Sequence, residues 1–186
     1  MPVQLSHLQT VGRRNWDKMD MVLALVDRAL DMGIDAYPYL ADSCSLTQLL
    51  PVWALEGGTA ALRARLAEAS TRHRIADQTE ANMGNDWEDI LVSTLPGRDD
   101  LVGRTIRDIA DGRGEACVDT ALDLLLENKG RVQIISFNQS EENLRKVVSH
   151  PCTSVITNGL VIEGKPHPRT FGTYPTFLGQ YVRDRG

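Results

Sequence analysis

Apolar and polar residues change rhythm several times along the 186-residue chain. The stretch "VQLSHL" (3–8) alternates and then turns polar, as a short strand does. Met19, Val22, Leu23, Val26 and Leu30 then recur at helical spacing, with Asn15 as candidate N-cap and Gly33 as the closing residue. "IDAYPYL" (34–40) reads as a second strand that must end near Pro38, because proline cannot donate to a ladder. Strand, helix and strand within residues 1–40 make the unit that builds parallel sheets.

Residues 41–100 are less regular. They hold an apolar stretch with breakers, a charged Ala-rich helix predicted to begin at Thr59, and a short strand within "DWEDILVST" (86–94). This segment reads as an insertion packed over a strand end, in the manner of a lid. Regular alternation resumes over 101–186. Thr105 is placed to cap a helix with Ile106, Ile109 and Ala110 inward, and "CVDTALDLLLENKG" predicts another. "RVQIISF" (131–137) is almost continuously apolar, as expected of a parallel strand covered on both faces. Ser140 with Glu141 and Glu142 marks a helix start, with Leu144, Val147 and Val148 as its buried stripe. "TSVITNG" predicts a last strand, and "PTFLGQYVRDR" the beginning of a final helix. The pattern sums to an α/β fold of about four parallel βα units with an insertion after the second strand.

Composition narrows the partners. Hydrophobic content of 42% and charged content of 24% are those of a globular domain. The net charge of −5, with basic residues scattered among acids, argues against nucleic acid and anionic membranes. No apolar run approaches membrane-spanning length and no signal peptide is evident, so a cytoplasmic location is expected. Cys44, Cys117 and Cys152 show no metal-binding spacing and suit a reducing compartment.

In parallel α/β folds, working side chains gather at the carboxyl ends of strands. His7, Tyr37, Tyr39, Ser136, Asn138 and Asn158 fall at such ends, and His167 and Arg169 follow in a Pro-rich loop. His7 is either a metal ligand or a structural histidine, and no HxH or HExxH motif accompanies it. Arg169 either forks onto a carboxylate or pins its own loop to a carbonyl. Tyr37 and Ser43 either donate to a ligand or serve as a core aromatic and a turn hydroxyl. A serine hydrolase has no support, because GxSxG is absent.

Taken in order, "SHLQTVGRRNWDKMDMVLALVDRALDMGIDAYPYLADSCSLTQLLPVWALEGG", "GRTIRDIA", "HPCTSVITNGL" and "HPRTFGTYPTFLGQYVR" resemble the D-aminoacylase (N-acyl-D-amino-acid deacylase) family of amidohydrolases. The resemblance runs nearly end to end, but only over the carboxy-terminal part of that family's catalytic domain. It implies a partial, half TIM-type barrel, with "VQLSH", "IDAYPY", "VQIISF" and "TSVITNG" as barrel strands five to eight. It also implies a family chemistry in which zinc activates a water against the acyl amide while an aspartate shuttles protons. His7 falls on a zinc-binding histidine of the family and Gln9 on a lysine that helps bind the substrate carboxylate. Tyr37 and Ser43 fall on substrate-contacting positions, and Arg169 on the arginine that grips the carboxylate. Asn158 falls on the catalytic aspartate.

Three departures follow. The family's amino-terminal strands and most zinc ligands have no counterpart here, Gln9 removes a positive charge, and Asn158 offers no titratable proton. A positioned acid/base is worth about 10²–10⁴-fold in rate, and the metal-activated nucleophile is worth more. The expectations are that the chain alone is inactive and does not stably hold zinc, and that exposed half-barrel surface drives dimer formation; a non-catalytic module that binds a small carboxylate or N-acyl amino acid is one alternative. Completion of the enzyme by a partner chain is the other alternative.

Overall fold

The computed structural model describes residues 2–29, 31–161 and 166–184. The chain divides into two compact units, one of residues 1–42, 137–161 and 166–186, the other chiefly of residues 43–136.

The first unit is built on a parallel sheet. Strands β1 (Val3–Leu5), β2 (Met32–Ala36) and β6 (Thr153–Val155) lie in the order β1-β2-β6. Leu5 pairs with Ile34, and Asp35 with Ser154. Alternation along β2 sends Ile34 and Ala36 to one face. There they form a core with Met19 and Val26 of helix α1 (Met19–Arg28) and Val147 of helix α7 (Glu141–Val148). Gly33 and Asp35 point to the other face. A Cβ at Gly33 would fall 2.5 Å from Gln4 Oε1, so a side chain there would displace the end of the Gln4 side chain.

Ser140 caps α7 as its sequence indicates, the hydroxyl accepting from Asn143 N–H at 3.4 Å. Helix α1 does not start at Asn15. A 3₁₀ turn over Arg13–Lys18 precedes it, and the Asn15 amide instead donates to the Val11 carbonyl at 2.7 Å. Gly33 lies inside β2 rather than closing the helix, which ends at Arg28. Leu30, expected on the helical stripe, falls outside the described residues. The final helix begins earlier than Pro175. Helix α8 (Arg169–Thr176) admits that proline only in its last turn and runs on as a π-helix over Phe177–Arg183.

The second unit holds the order β3-β5-β4, with β3 at Ala41–Ser45, β4 at Ile90–Thr94 and β5 at Gln133–Phe137. Helices α2 (Val52–Leu55), α3 (Gly58–Ala67), α4 (Ala69–Asn82), α5 (Ile106–Arg113) and α6 (Cys117–Glu127) complete it. Its core joins Leu62, Leu66, Ile75, Ile90, Val92, Ile106, Leu122, Leu125 and Ile134. Thr105 caps α5 in a capping box with Asp108, and Ile106, Ile109 and Ala110 are buried as their spacing predicts. The single charged helix expected from Thr59 is two helices. They break at Glu68, whose extended backbone lets its carboxylate cap Ser70 and Thr71.

The expected row of four parallel strands is corrected here. β5, the continuous apolar run, pairs antiparallel with β4, Leu91 opposite Ile135, and takes no place in the β1-β2-β6 sheet. An unbroken apolar run reports burial on both faces, and the core around Ile134 supplies that burial whatever the strand's direction. Among the described residues, no helix is long and apolar enough to cross a membrane.

Candidate functional site

The carboxyl ends of β1, β2 and β6 leave the first unit's sheet through unusual backbone. His7 and Asn158 have φ of 38° and 42°, in the left-handed region where His and Asn are over-represented. Asp35, buried on β2, holds the β1 exit. Its carboxylate accepts from Gln4 Nε2 at 3.0 Å, from the Ser6 hydroxyl at 3.3 Å and from the His7 backbone N–H.

Directly after β2, Pro38 ends the ladder and turns Tyr37 into the interior, where it is 1% exposed. Four of the residues singled out in the sequence meet at this ring. The Arg169 guanidinium carbon lies 4.5 Å from the Tyr37 ring centroid, a cation–π contact. His7 stands 6.2 Å away, ring to ring. The Gln9 side chain lies close enough to the Tyr37 hydroxyl to lower its pKa, against the larger rise that burial causes. Gln139 Nε2 donates to that hydroxyl, at 3.5 Å.

Arg169 opens α8 and is only 5% exposed, and its Nε has no hydrogen-bond partner. A guanidinium is always charged and acts only as a donor. A buried donor of this kind needs an acceptor, and an anion is one group able to supply it. The loop before α8 fixes its position. His167 Nδ1 accepts from the Arg169 backbone N–H at 3.0 Å, which assigns the proton to Nε2, and Nε2 donates to the Ala41 carbonyl at 2.8 Å. The His167 ring contacts Tyr37 at 6.1 Å and Tyr39 at 5.3 Å. Burial, then the Arg169 charge, hold its pKa down at about 4, so it is neutral at physiological pH. Burial, then the Asp42 charge, raise the Tyr37 pKa, so its phenol stays protonated and able to donate.

Asn158 lies outside this cluster as an exposed residue, three positions beyond the end of β6. Its turn rests on α8: a Cβ at Gly159 would come within 2.8 Å of Thr170 Cα, and the Thr170 hydroxyl donates to the Leu160 carbonyl at 3.3 Å. Ser43 belongs to the second unit, on β3. Sequence reasoning passed over Asp35 and gave His167 no role. Asp35 had a signal, being the one charged residue in "MGIDAY". His167 had one in its position two residues before Arg169.

Among the described residues, no three His, Cys, Asp or Glu side chains are grouped to hold a metal. A catalytic zinc takes three protein ligands and an open position, and His7 alone does not fit that requirement. The donors present instead, a buried guanidinium and a protonated phenol, suit a small organic anion.

No protein-family model matches the chain. It is 26% identical over its whole length to D-aminoacylase of Alcaligenes xylosoxydans xylosoxydans and 28% identical over 97% of its length to that organism's N-acyl-D-glutamate deacylase. It covers 31% and 30% of those two proteins. A solved D-aminoacylase, described for the role of its binuclear metal centre, superposes with a TM-score of 0.70 at 27% identity, over 99% of this chain and 31% of that one. N-acyl-D-glutamate deacylase from Bordetella bronchiseptica, complexed with zinc and a phosphonate inhibitor, shares the fold with a TM-score of 0.71 at 23% identity, over 98% of this chain and 31% of that one. The chain is thus a homologue of the D-aminoacylases and N-acyl-D-amino-acid deacylases that spans about 31% of their length.

Proposed function

We propose that this chain corresponds to carboxy-terminal βα units of a D-aminoacylase-like amidohydrolase, its β1-β2-β6 sheet forming part of a barrel wall. On its own it recognises the carboxylate of N-acyl-D-amino acids without hydrolysing them. The observation that carries this reading is the buried Arg169, stacked on Tyr37 with its Nε unpartnered. A planar fork beside a protonated phenol is chemistry suited to a carboxylate. His7 and Gln9 border the same ring, and His7 is the position through which a complete enzyme would reach zinc.

Catalysis needs more than is gathered here. Zinc would supply an activated water, and among the described residues no three His, Cys, Asp or Glu side chains are grouped to hold it. Asn158, at the position of the family's acid, has no proton to deliver to a leaving amine. Turnover of N-acetyl-D-methionine, N-acetyl-D-glutamate and N-acetyl-D-aspartate with added zinc tests the catalytic half of the reading. No hydrolysis above background is expected from the chain or from Asn158→Asp. Robust zinc-dependent turnover by the unmodified chain would refute it.

A second reading, assembly with another polypeptide, is favoured by a separate observation. Phe171, Tyr174, Leu178 and Val182 recur three to four residues apart along α8 and the π-helix, each more than half exposed. Val3 and Leu5 on the edge strand β1 are exposed as well. Apolar stripes and open edges of this kind favour self-association.

A further inference from the structure

Next to the Arg169 cluster, the first unit contains a pair of side chains with the opposite deficit. Asn138 Nδ2 donates to Asp42 Oδ2 at 2.8 Å, leaving Asp42 Oδ1 and Asn138 Oδ1 buried with no hydrogen-bond partner. Asn138 is 4% exposed. Turning its amide over would set two oxygens against each other, so the free oxygen is fixed by the bond the nitrogen makes. The backbone of Asn138 is pinned too, its carbonyl accepting from Gly12 N–H at 2.9 Å and Trp16 Nε1 at 3.1 Å.

Chain connectivity ties this pair to the cluster. Asp42 directly follows Ala41, whose carbonyl receives His167 Nε2, and Asn138 directly precedes Gln139, whose amide reaches the Tyr37 hydroxyl. Asp42 and Arg169 both act on the Tyr37 phenol, and the Arg169 guanidinium lies 4.5 Å from that ring, so the acceptor pair and the donor border the same residue. Buried polar atoms are nearly always satisfied. Unfilled acceptors close to an unfilled cationic donor describe a ligand that carries both a carboxylate and an N–H.

We propose that Asp42 and Asn138 form an acceptor subsite for the N–H group of an α-amino or α-acylamino carboxylate whose carboxylate lies on Arg169. This rests on the carboxylate reading above and adds the recognition of nitrogen to it. The discriminating probe is an isostere in which oxygen replaces that N–H.

Calorimetric titration of the intact chain with N-acetyl-D-alanine, D-alanine and (R)-2-acetoxypropanoate tests it. N-acetyl-D-alanine is expected to bind at least about tenfold more tightly than the acetoxy acid, as a hydrogen bond to a charged acceptor allows. In Asp42→Asn, which replaces the free oxygen with a donor of the same shape, that preference is expected to vanish. D-alanine equalling the acetyl compound would support the subsite with an ammonium occupant, and weaker D-alanine would support it with an amide. If both acetyl and acetoxy acids bind equally and both are lost in Arg169→Ala, the subsite is overturned and the carboxylate site stands. If none binds, both fall. Should the variant fold poorly, the Asn138 side-chain amide resonances of the unmodified chain serve instead. They are expected to shift with N-acetyl-D-alanine and not with the acetoxy acid, and a lack of any shift at saturation overturns the subsite.

Discussion

Arg169 and His167 stand two residues apart and answer burial in opposite ways. The guanidinium cannot lose its charge, so it stacks on Tyr37 and keeps a free donor. The imidazole can, and does. Protonating Nδ1 would destroy the acceptor that holds the Arg169 N–H. Between its ordinary value of 6.5 and the folded value of about 4, the unfolded chain takes up a proton at His167 that the folded chain refuses. The stability this group supports is therefore complete above that window and falls as pH drops through it, by up to about 3 kcal/mol. Comparing urea midpoints of the chain and His167→Gln at pH 7 and pH 4.5 checks the sign. The gap between them is expected to narrow in acid, and a gap that widens would contradict the assignment. The residue scale is also where sequence was least informative. "HPR" names the residues, but neither the stacking nor the tautomer can be read from one dimension.

Elements were more legible, and their misreadings have physical causes. Caps at Thr105 and Ser140 were readable because a cap is a local bond between a side chain and a backbone three residues on. The direction of β5 was not, because strand pairing is a long-range choice that burial alone does not specify. The break at Glu68 hid within a composition that favours helix throughout. Helix α8 offers an element-scale test. A Cβ at Gly172 would fall 2.5 Å from the Tyr39 hydroxyl, which itself bonds Thr176 at 3.0 Å. Gly172→Ala should destabilise the chain by about 1 kcal/mol or more despite alanine's higher helix propensity. Tyr39→Phe removes the clashing oxygen, so the double variant is expected to lose less than the sum of the two. Strict additivity in urea denaturation would show that the two groups do not meet.

At the scale of the whole molecule, homology, stripe and site make separate predictions. The stripe of Phe171, Tyr174, Leu178 and Val182 predicts a species heavier than a monomer in size-exclusion chromatography with light scattering. Phe171→Glu with Leu178→Glu is expected to shift it toward monomer, and a clean monomer of the unmodified chain at high concentration would remove the self-association reading. The candidate site was legible in part. His7, Gln9 and Arg169 border the Tyr37 ring, whereas Asn158 is an exposed residue beyond the end of β6. Ligand recognition through Arg169 is open to a direct test. Its most direct measurement is calorimetric titration of N-acetyl-D-methionine into the chain and into Arg169→Ala, without added metal. Saturable one-to-one binding by the first, weakened at least about tenfold in the second as expected for a lost charge-assisted pair, is the predicted result. Equal binding by both, or none by the unmodified chain, would contradict it.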